Sequence, residues 1–381
     1  MSSSEVSEQK RKSQPILERV HDPRTIQYIT QRIGEQWGYK LSNVQFAEKE
    51  GTLKDKSKVA NRKPEPLGLY RYALRDLSIE KKHETDDIVG YVETLNRKAW
   101  RIDGKNPGVL KEVNSSTIGS VFTFAEHRKK GYANVFLTKV GEILDEQLGE
   151  DALTNLYSGV GEFYSRFGYK SFVIPIHFIK SEGVSIDTND SKYEYLGYEG
   201  YDKLIDVQKE YLKQLLLRKG KEIEQNETVV ALIPDTDTYT WINDKDAYTT
   251  AALNPGYELN SFGAVLKGSN DHILWVHEWN ENKLKIAKIF VENGNIENFK
   301  KLIQISIKES QDYGLEGVFL WDSSLTEDKS FHDTALEYLK SFAGAVINGS
   351  QTSTTIPAIR LHDKTPAEGI KWIDNDYWCW F

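Results

Sequence analysis

The chain has 381 residues, 39% hydrophobic and 12% aromatic, enough for real cores and more length than one domain usually holds. Its single cysteine, Cys379, excludes a disulfide framework and any multi-cysteine metal site, and no run approaches the roughly 20 apolar residues that span a bilayer. The net charge of −8 divides into +2 over residues 1–190 and −10 over 191–381, so the second half would repel nucleic acid and favour a cationic partner.

In chain order, residues 1–14 are polar, without the apolar core of a signal peptide, and are expected to be disordered in a cytoplasmic protein. Ile16–Val20 suggests a strand. Asp22-Pro23 opens a helix, and Thr25–Trp37 sets Ile26, Ile29, Ile33 and Trp37 on one face. A shorter helix is expected over Leu41–Lys49, an exposed loop over the Lys- and Pro-rich Gly51–Pro66, and strands at Leu69–Leu77 and Ile88–Arg101, the latter long or broken near Asn96.

The organising stretch follows. Val121, Phe122, Thr123 and Phe124 form a β-branched and aromatic run that ends in a polar bend. From Gly131 the pattern becomes helical, with Val135, Phe136, Val140, Ile143 and Leu144 at helix spacing to about Gln147. Strand, basic loop and helix thus follow one another. A helix N-terminus presents unpaired N–H groups and partial positive charge. Here it is preceded by Arg128, Lys129 and Lys130 and opened by the small residues Gly131 and Ala133, which suits a pyrophosphate. A solvated turn with ordinary surface cations is the alternative from composition alone. Beyond it, Leu153–Tyr157 has the pattern of a short buried strand, Glu162–Phe167 of one and a half helical turns stopped by Gly168, and Tyr169–Ile179 of a further strand.

Arg128-Lys129-Lys130-Gly131-Tyr132-Ala133 resembles the Arg/Gln-x-x-Gly-x-Gly/Ala signature of the GCN5-related N-acetyltransferase (GNAT) superfamily. Phe163-Tyr164-Ser165-Arg166-Phe167-Gly168-Tyr169 is similar to its Tyr-x-x-x-Gly-Phe element. Ala125 stands where Pro is common and Lys129 where Gly is common. The resemblance covers about residues 15–180 and implies an acetyl-CoA-binding domain of α/β class on a mixed sheet. In it Val121, Phe122 and Thr123 would pair with the pantetheine arm. Arg128, Lys129, Lys130, Gly131, Tyr132 and Ala133 would hold the pyrophosphate, and Tyr164 would protonate the departing thiolate. A core aromatic on a short helix is the plain alternative for Tyr164.

Residues 181–192 lie in a polar, aperiodic stretch expected to be a linker. Past it, helices are expected at Tyr201–Lys219, Ile296–Tyr313 and Phe331–Phe342. Strands are expected at Val229–Ile233, Ser261–Leu266, His272–Trp279, Leu284–Val291, Gly317–Trp321 and Ala358–Leu361. This order resembles a second, degenerate copy of the same fold over 193–381, without a phosphate loop, shaping the acceptor pocket. Seven of the nine tryptophans fall after residue 190. With the acidic charge they suit an amine, through ion pairing and cation–π contact, or simply build an aromatic core. The apolar end Trp372–Phe381 is expected to pack on the body of the protein.

Acetyl transfer to an amine needs a neutral nitrogen, oxyanion donors and a proton for the thiolate. Glu126, Glu162, Asp322 and the carboxylate of Phe381 are candidate bases, the last because some tandem-domain members of the superfamily use their C-terminus in this way. A tail that only seals the interface is the other possibility. The combination of motifs, the large second domain and the aromatic end resemble the fungal L-lysine N6-acetyltransferases of lysine catabolism, which implies acetyl-CoA as donor and free L-lysine as acceptor. A protein or peptide N-acetyltransferase and a non-catalytic acetyl-CoA sensor are the alternatives. The eight scattered histidines give a metal mechanism little support.

Overall fold

A computed structural model describes residues 15–186, 192–325, 328–349, 355–363 and 365–380. The expected disorder of residues 1–14, the middle of the linker and the terminal Phe381 lie outside them.

β1 (Pro15–Arg19) leads into α1 (Pro23–Trp37), where the Asp22 carboxylate caps the Thr25 N–H and Ile26, Ile29 and Ile33 are buried. α2 (Asn43–Ala47) opens on a Ser42–Gln45 capping box and continues through a π-helical turn, Glu48–Leu53, into α3 (Lys54–Lys56). Helix therefore occupies the start of the segment whose lysines suggested an exposed loop. The reason is that Lys54 turns inward to a buried carboxylate, Glu93, 2.6 Å away.

β2 (Gly68–Asp76), β3 (Ile88–Asp103) and β4 (Lys111–Thr123) form a meander. α4 (Tyr132–Leu148) and β5 (Leu153–Ser158) follow, then a short 3-10 helix, Gly161–Phe167. The stretch expected as one strand from Tyr169 to Ile179 is two, β6 (Lys170–Ser171) and β7 (Ile176–Lys180), in different sheets. The chain crosses between the sheets through Val173–Pro175, where proline cannot donate to a ladder.

The second half comprises β8 (Tyr193–Tyr195), α5 (Tyr201–Lys219), β9 (Thr228–Leu232), α6 (Thr236–Leu253), β10 (Gly263–Leu266), β11 (His272–Glu278) and β12 (Lys283–Phe290). It ends with α7 (Ile296–Asp312), β13 (Gly317–Trp321), α8 (Lys329–Lys340), β14 (Val346–Gly349), β15 (Ile356–Leu361) and β16 (Ile370–Trp372).

Two mixed sheets result, and they exchange strands. The first runs β1-β2-β3-β4-β5-β15-β6, with β9 on the far half of β3 and β16 on β9. The second runs β14-β7-β13-β12-β11-β10-β8. Thus β7 leaves the N-terminal segment for the second sheet, while β9, β15 and β16 return to the first. β15 lies antiparallel along the whole of β5, from Ile356 opposite Ser158 to Leu361 opposite Leu153.

One face of the first sheet is covered by α4, whose Phe136, Leu137, Val140 and Leu144 meet Val89, Val92, Ile118 and Leu156. Its other face packs on α5, α6 and the C-terminal tail through Tyr201, Tyr239, Trp378 and Cys379. The second sheet buries Trp275, Leu284, Ile286 and Val318 under Phe299, Leu302 and Ile303 of α7 and Leu339 of α8. The chain thus carries two α/β domains whose sheets are interleaved.

Because β3 and β5 take partners from the second half, residues 15–186 expressed alone should not fold. We expect a fragment that aggregates or elutes expanded on gel filtration, without the near-ultraviolet circular dichroism of packed aromatics. A compact monomeric fragment with cooperative melting would contradict this.

Candidate active site

β4 and β5 run parallel and pair only from Ser115 opposite Leu153 to Ile118 opposite Leu156. Beyond that row β4 continues to Thr123, paired with β3 alone. The β5-facing edge of Gly119–Thr123 therefore carries no strand among the described residues, and the two strands part into a gap. A bulge opens the same place. Tyr91 pairs with Phe122 and Glu93 with Gly119, leaving Ser120 in the left-handed region at φ 53°.

The bulge rests on a buried charge cluster. The Glu93 carboxylate, 1% exposed, accepts from Lys54 Nζ at 2.6 Å, Tyr91 Oη at 2.9 Å, Arg71 Nε at 3.1 Å and Ser120 Oγ at 3.2 Å. Burial opposes its charge, but Lys54 and Arg71 outweigh burial and hold its pKa below the usual carboxylate range. Sequence reasoning missed this cluster. The signal was there in charged residues, Arg71 and Glu93, at inward positions of otherwise apolar strands.

At the open end of the gap, Lys129 (φ 61°) and Gly131 (φ 85°) take left-handed conformations and lead into α4. Gly131 caps that helix without a side-chain bond, and a Cβ placed on it would meet nothing within 4 Å. No side chain caps the first turn, and the Asn134 N–H bonds back to the Gly131 carbonyl at 3.1 Å; a helix start without a side-chain cap is what an anion requires. Lys129 and Lys130 are exposed beside it. Tyr132 and Ala133, in the first turn, are half-buried, and the Tyr132 hydroxyl donates to Asp76. Arg128 instead folds back on the strand end. Its Nε donates to the Thr123 carbonyl at 3.0 Å, its Nη2 to Gln36 Oε1 at 2.6 Å, and its guanidinium lies 5.3 Å from the Phe122 ring.

On the β5 side, Tyr164 sits in the 3-10 helix, 8% exposed, edge-on to Phe163 at 5.3 Å and Tyr169 at 6.1 Å. Burial pushes its pKa up to about 12, so it stays a protonated phenol at neutral pH. Val121, Tyr132 and Tyr164 belong to one apolar cluster beneath α4.

A cavity of about 650 Å³ lies between the two domains. Trp37, whose ring is 5.1 Å from Phe122, and Trp380, stacked 5.3 Å from Tyr157 of β5, both line it. Through these two rings the cavity wall contacts one residue of each parted strand, Phe122 and Tyr157. Its wall mixes charges. Lys49 and Lys245 lie 3.4 and 3.7 Å from the same oxygen of Glu50, whose pKa is held well down: burial opposes the charge, and Lys245, Lys49 and Lys54 overcome it. Lys285 is held charged against burial by Tyr377, Glu278 and Glu281. His277 bridges Asp246 at 2.9 Å and Glu309 at 3.3 Å. Burial disfavours its protonation, but the two carboxylates win and raise its pKa to about 9.

The candidate bases fall elsewhere. Glu126 is paired with Arg32 at 2.8 Å on the surface, and Glu162 accepts from Ser171 at 2.8 Å. Asp322 takes both His177 and His332 at 2.9 Å and lines a different cavity. Phe381 is outside the described residues. Burial pushes the Cys379 thiol upward, which leaves it inert. Among the described residues no group of three or more His, Cys, Asp or Glu could hold a metal, and no helix is long and apolar enough to cross a membrane.

Residues 179–381 match the family described as the LYC1 GNAT-like C-terminal domain. An uncharacterized protein of Saccharomyces cerevisiae is 29% identical over 96% of this chain and 98% of its own length. A lysine acetyltransferase of Yarrowia lipolytica is 28% identical over 35% of each. Among solved structures, a GCN5-related N-acetyltransferase from Anabaena variabilis superposes with a TM-score of 0.53 at 11% identity, covering 92% of this chain and 73% of that one.

Two outcomes test the electrostatics. Glu93→Gln leaves Lys54 and Arg71 buried with half their compensation, so urea unfolding should show a loss of about 3 kcal/mol. His277 has a raised folded pKa, so its contribution to stability is complete below about pH 6.5 and fades as the pH climbs through about 9. In His277→Gln that decline should be flattened, as read from melting temperature against pH.

Proposed function

The chain belongs to the LYC1 GNAT-like family of N-acetyltransferases, and from that membership we propose that it moves the acetyl group of acetyl-CoA to the N6 amine of free L-lysine. The observation that carries the reading is the parting of β4 and β5, followed along the chain by the uncapped start of α4, together with an aromatic, mixed-charge cavity whose Trp37 and Trp380 contact residues of those strands. In this reading residues 15–180 bind acetyl-CoA and 193–381 shape the acceptor pocket.

The pyrophosphate would lie on the first turn of α4, against the N–H groups following Gly131, with Lys129 and Lys130 supplying charge. The pantetheine arm would use the unpaired edge of Val121–Thr123 as a neighbouring strand would, and a free N–H there would steady the oxyanion. Arg128 serves as a brace for the strand end, through Thr123 and Gln36. The amine attacks the thioester carbonyl carbon, the C–S bond breaks, the sulfur takes the Tyr164 proton, and the proton that the nitrogen gives up on acylation restores the phenol through solvent.

A zwitterionic amino acid suits the cavity better than an uncharged amine. Lys49 and Lys245 share one carboxylate and leave positive charge for an α-carboxylate. Glu278 and Glu281, with Trp37 and Trp380, offer anions and ring faces to an ammonium. A lysine side chain starts with a pKa near 10.4 and must shed a proton before attack. Glu278 is positioned to receive it through solvent in the cavity.

The test is CoA release from acetyl-CoA with free L-lysine, other amino acids, polyamines or a histone-like peptide as acceptor. Turnover should be confined to free lysine, with kcat lowered about 100-fold or more in Tyr164→Phe. Lys245→Ala should raise KM for lysine and leave KM for acetyl-CoA unchanged. Turnover on the peptide alone would move the activity to protein modification. The absence of turnover with any amine would favour a sensor.

A further inference from the structure

A second cavity, about 410 Å³, lies at the opposite end of β12 from the first. Lys283 and Lys285 of that strand line the acceptor cavity, whereas Lys288 and Phe290 line this one. Phe172, Tyr211, Phe290, Phe331 and Trp372 give it aromatic walls. Lys288, its one lysine or arginine among the described residues, is already held by two carboxylates, Asp374 and Asp376, the latter at 2.6 Å.

Asp322, which follows β13, lines the same cavity. Its N–H donates to the Pro175 carbonyl at 2.8 Å, which fixes the residue where the chain crosses between the sheets. One carboxylate oxygen, Oδ1, takes two imidazoles: Nε2 of His177 from β7 and Nε2 of His332 from α8, each at 2.9 Å. The Asn348 N–H donates to Nδ1 of His177 at 3.2 Å, so the proton of that ring is on Nε2 and is given to Asp322. Burial opposes the charge on Asp322, but the His177 bond and His332 outweigh it and hold the carboxyl below its ordinary range. The other oxygen, Oδ2, has no partner among the described residues, and the side chain is 23% exposed. No described lysine or arginine lies within 4 Å of it. The carboxylate is thus braced through one oxygen from two separate elements, while the other oxygen is reachable and met by no fixed cation.

We propose that this cavity binds an organic monocation, an ammonium carried on a compact apolar or aromatic body with no carboxylate of its own. Oδ2 of Asp322 would pair with the ammonium, and the rings of the wall would add apolar contact and cation–π attraction. The volume accommodates a small organic molecule. A bare calcium or magnesium ion does not fit, since it asks for about six oxygen donors and the wall offers rings instead. An amino acid does not fit either, because Lys288 is spent on Asp374 and Asp376 and nothing is left for a second carboxylate. The cavity therefore distinguishes an amine from the amino acid that would yield it on decarboxylation. The site is independent of the acceptor reading, since no residue that carries it takes part in acetyl transfer there.

The experiment is isothermal titration of the full chain with benzylammonium and benzyltrimethylammonium, and with benzyl alcohol and benzoate as neutral and anionic controls of similar size. At least one of the two cations should bind with 1:1 stoichiometry, and both controls should bind tenfold more weakly or not at all. Asp322→Asn should weaken cation binding tenfold or more. That substitution keeps an oxygen for the two histidines, and near-ultraviolet circular dichroism checks that it folds. Leu215→Trp, which fills the cavity from α5 and leaves Asp322 in place, should abolish binding as well. Glu278→Gln, in the acceptor cavity, should leave it unchanged. The proposal is overturned if neither cation binds, if benzyl alcohol or benzoate binds as tightly, if binding survives both Asp322→Asn and Leu215→Trp, or if Glu278→Gln abolishes it.

Discussion

Two parallel strands that hold together for one short row of pairs and then separate set the terms for the rest of this molecule. A parted pair exposes backbone N–H and C=O groups in the middle of a sheet, where they are costly unless solvated or bound. The separation must therefore be forced from one side and used from the other. It is forced by the bulge at Ser120, which turns β4 away from β5. That bulge stands because Glu93 gathers two cations and two hydroxyls beneath it. Removing charge from that point would return the strands toward continuous pairing, which is the lower-energy arrangement for a sheet without a ligand.

Much of what surrounds the gap comes from the other half of the chain. The larger cavity is walled mainly by α6, β11, β12, β13 and the tail, with Trp37, Tyr39, Lys49 and Ile176 added from the N-terminal segment. The tail does several tasks in few residues. Trp378 stacks on Tyr239 at 5.6 Å, the Cys379 carbonyl accepts from the fully buried Arg97, and Trp380 covers Tyr157. With Tyr377 edge-on to Trp321 of β13 at 5.8 Å, the aromatic residues of the tail reach both sheets, which explains their density better than a single core would.

Much of this was legible in residue order. The helical spacing of Leu204, Ile205, Leu212 and Leu216 located α5 to the residue, because only one face of it is buried. The loop ahead of α4 was legible because glycine and lysines stand together there, after a strand. α6 was not, since its buried face carries Thr238, Asn243, Asp246, Thr249 and Thr250 beside Tyr239 and Trp241, and apolar residues therefore keep no helical period. Strand partners were also hidden. Alternation along Thr228–Leu232 or Ile356–Leu361 says which side chains are covered, and nothing about which strand lies alongside. Lys54 misled for a further reason: a lysine in a lysine-rich run is usually solvated, and its carboxylate partner lies far along the sequence. The two cavities could not be anticipated at all, because their walls are assembled from segments distant in sequence.

The placement of β15 governs how the molecule is made. During synthesis β5 emerges first and pairs with β4 on one edge only, while the strand that will cover its other edge is encoded far downstream. Until Leu361 can reach Leu153, the first sheet waits with an open, apolar margin, the state in which a nascent chain is most exposed to pairing with a neighbour. The two domains cannot then mature one after the other on the ribosome. The gap between β4 and β5 takes its final form only once the segment through Leu361 has been made, so the sheet around it is a late product of synthesis.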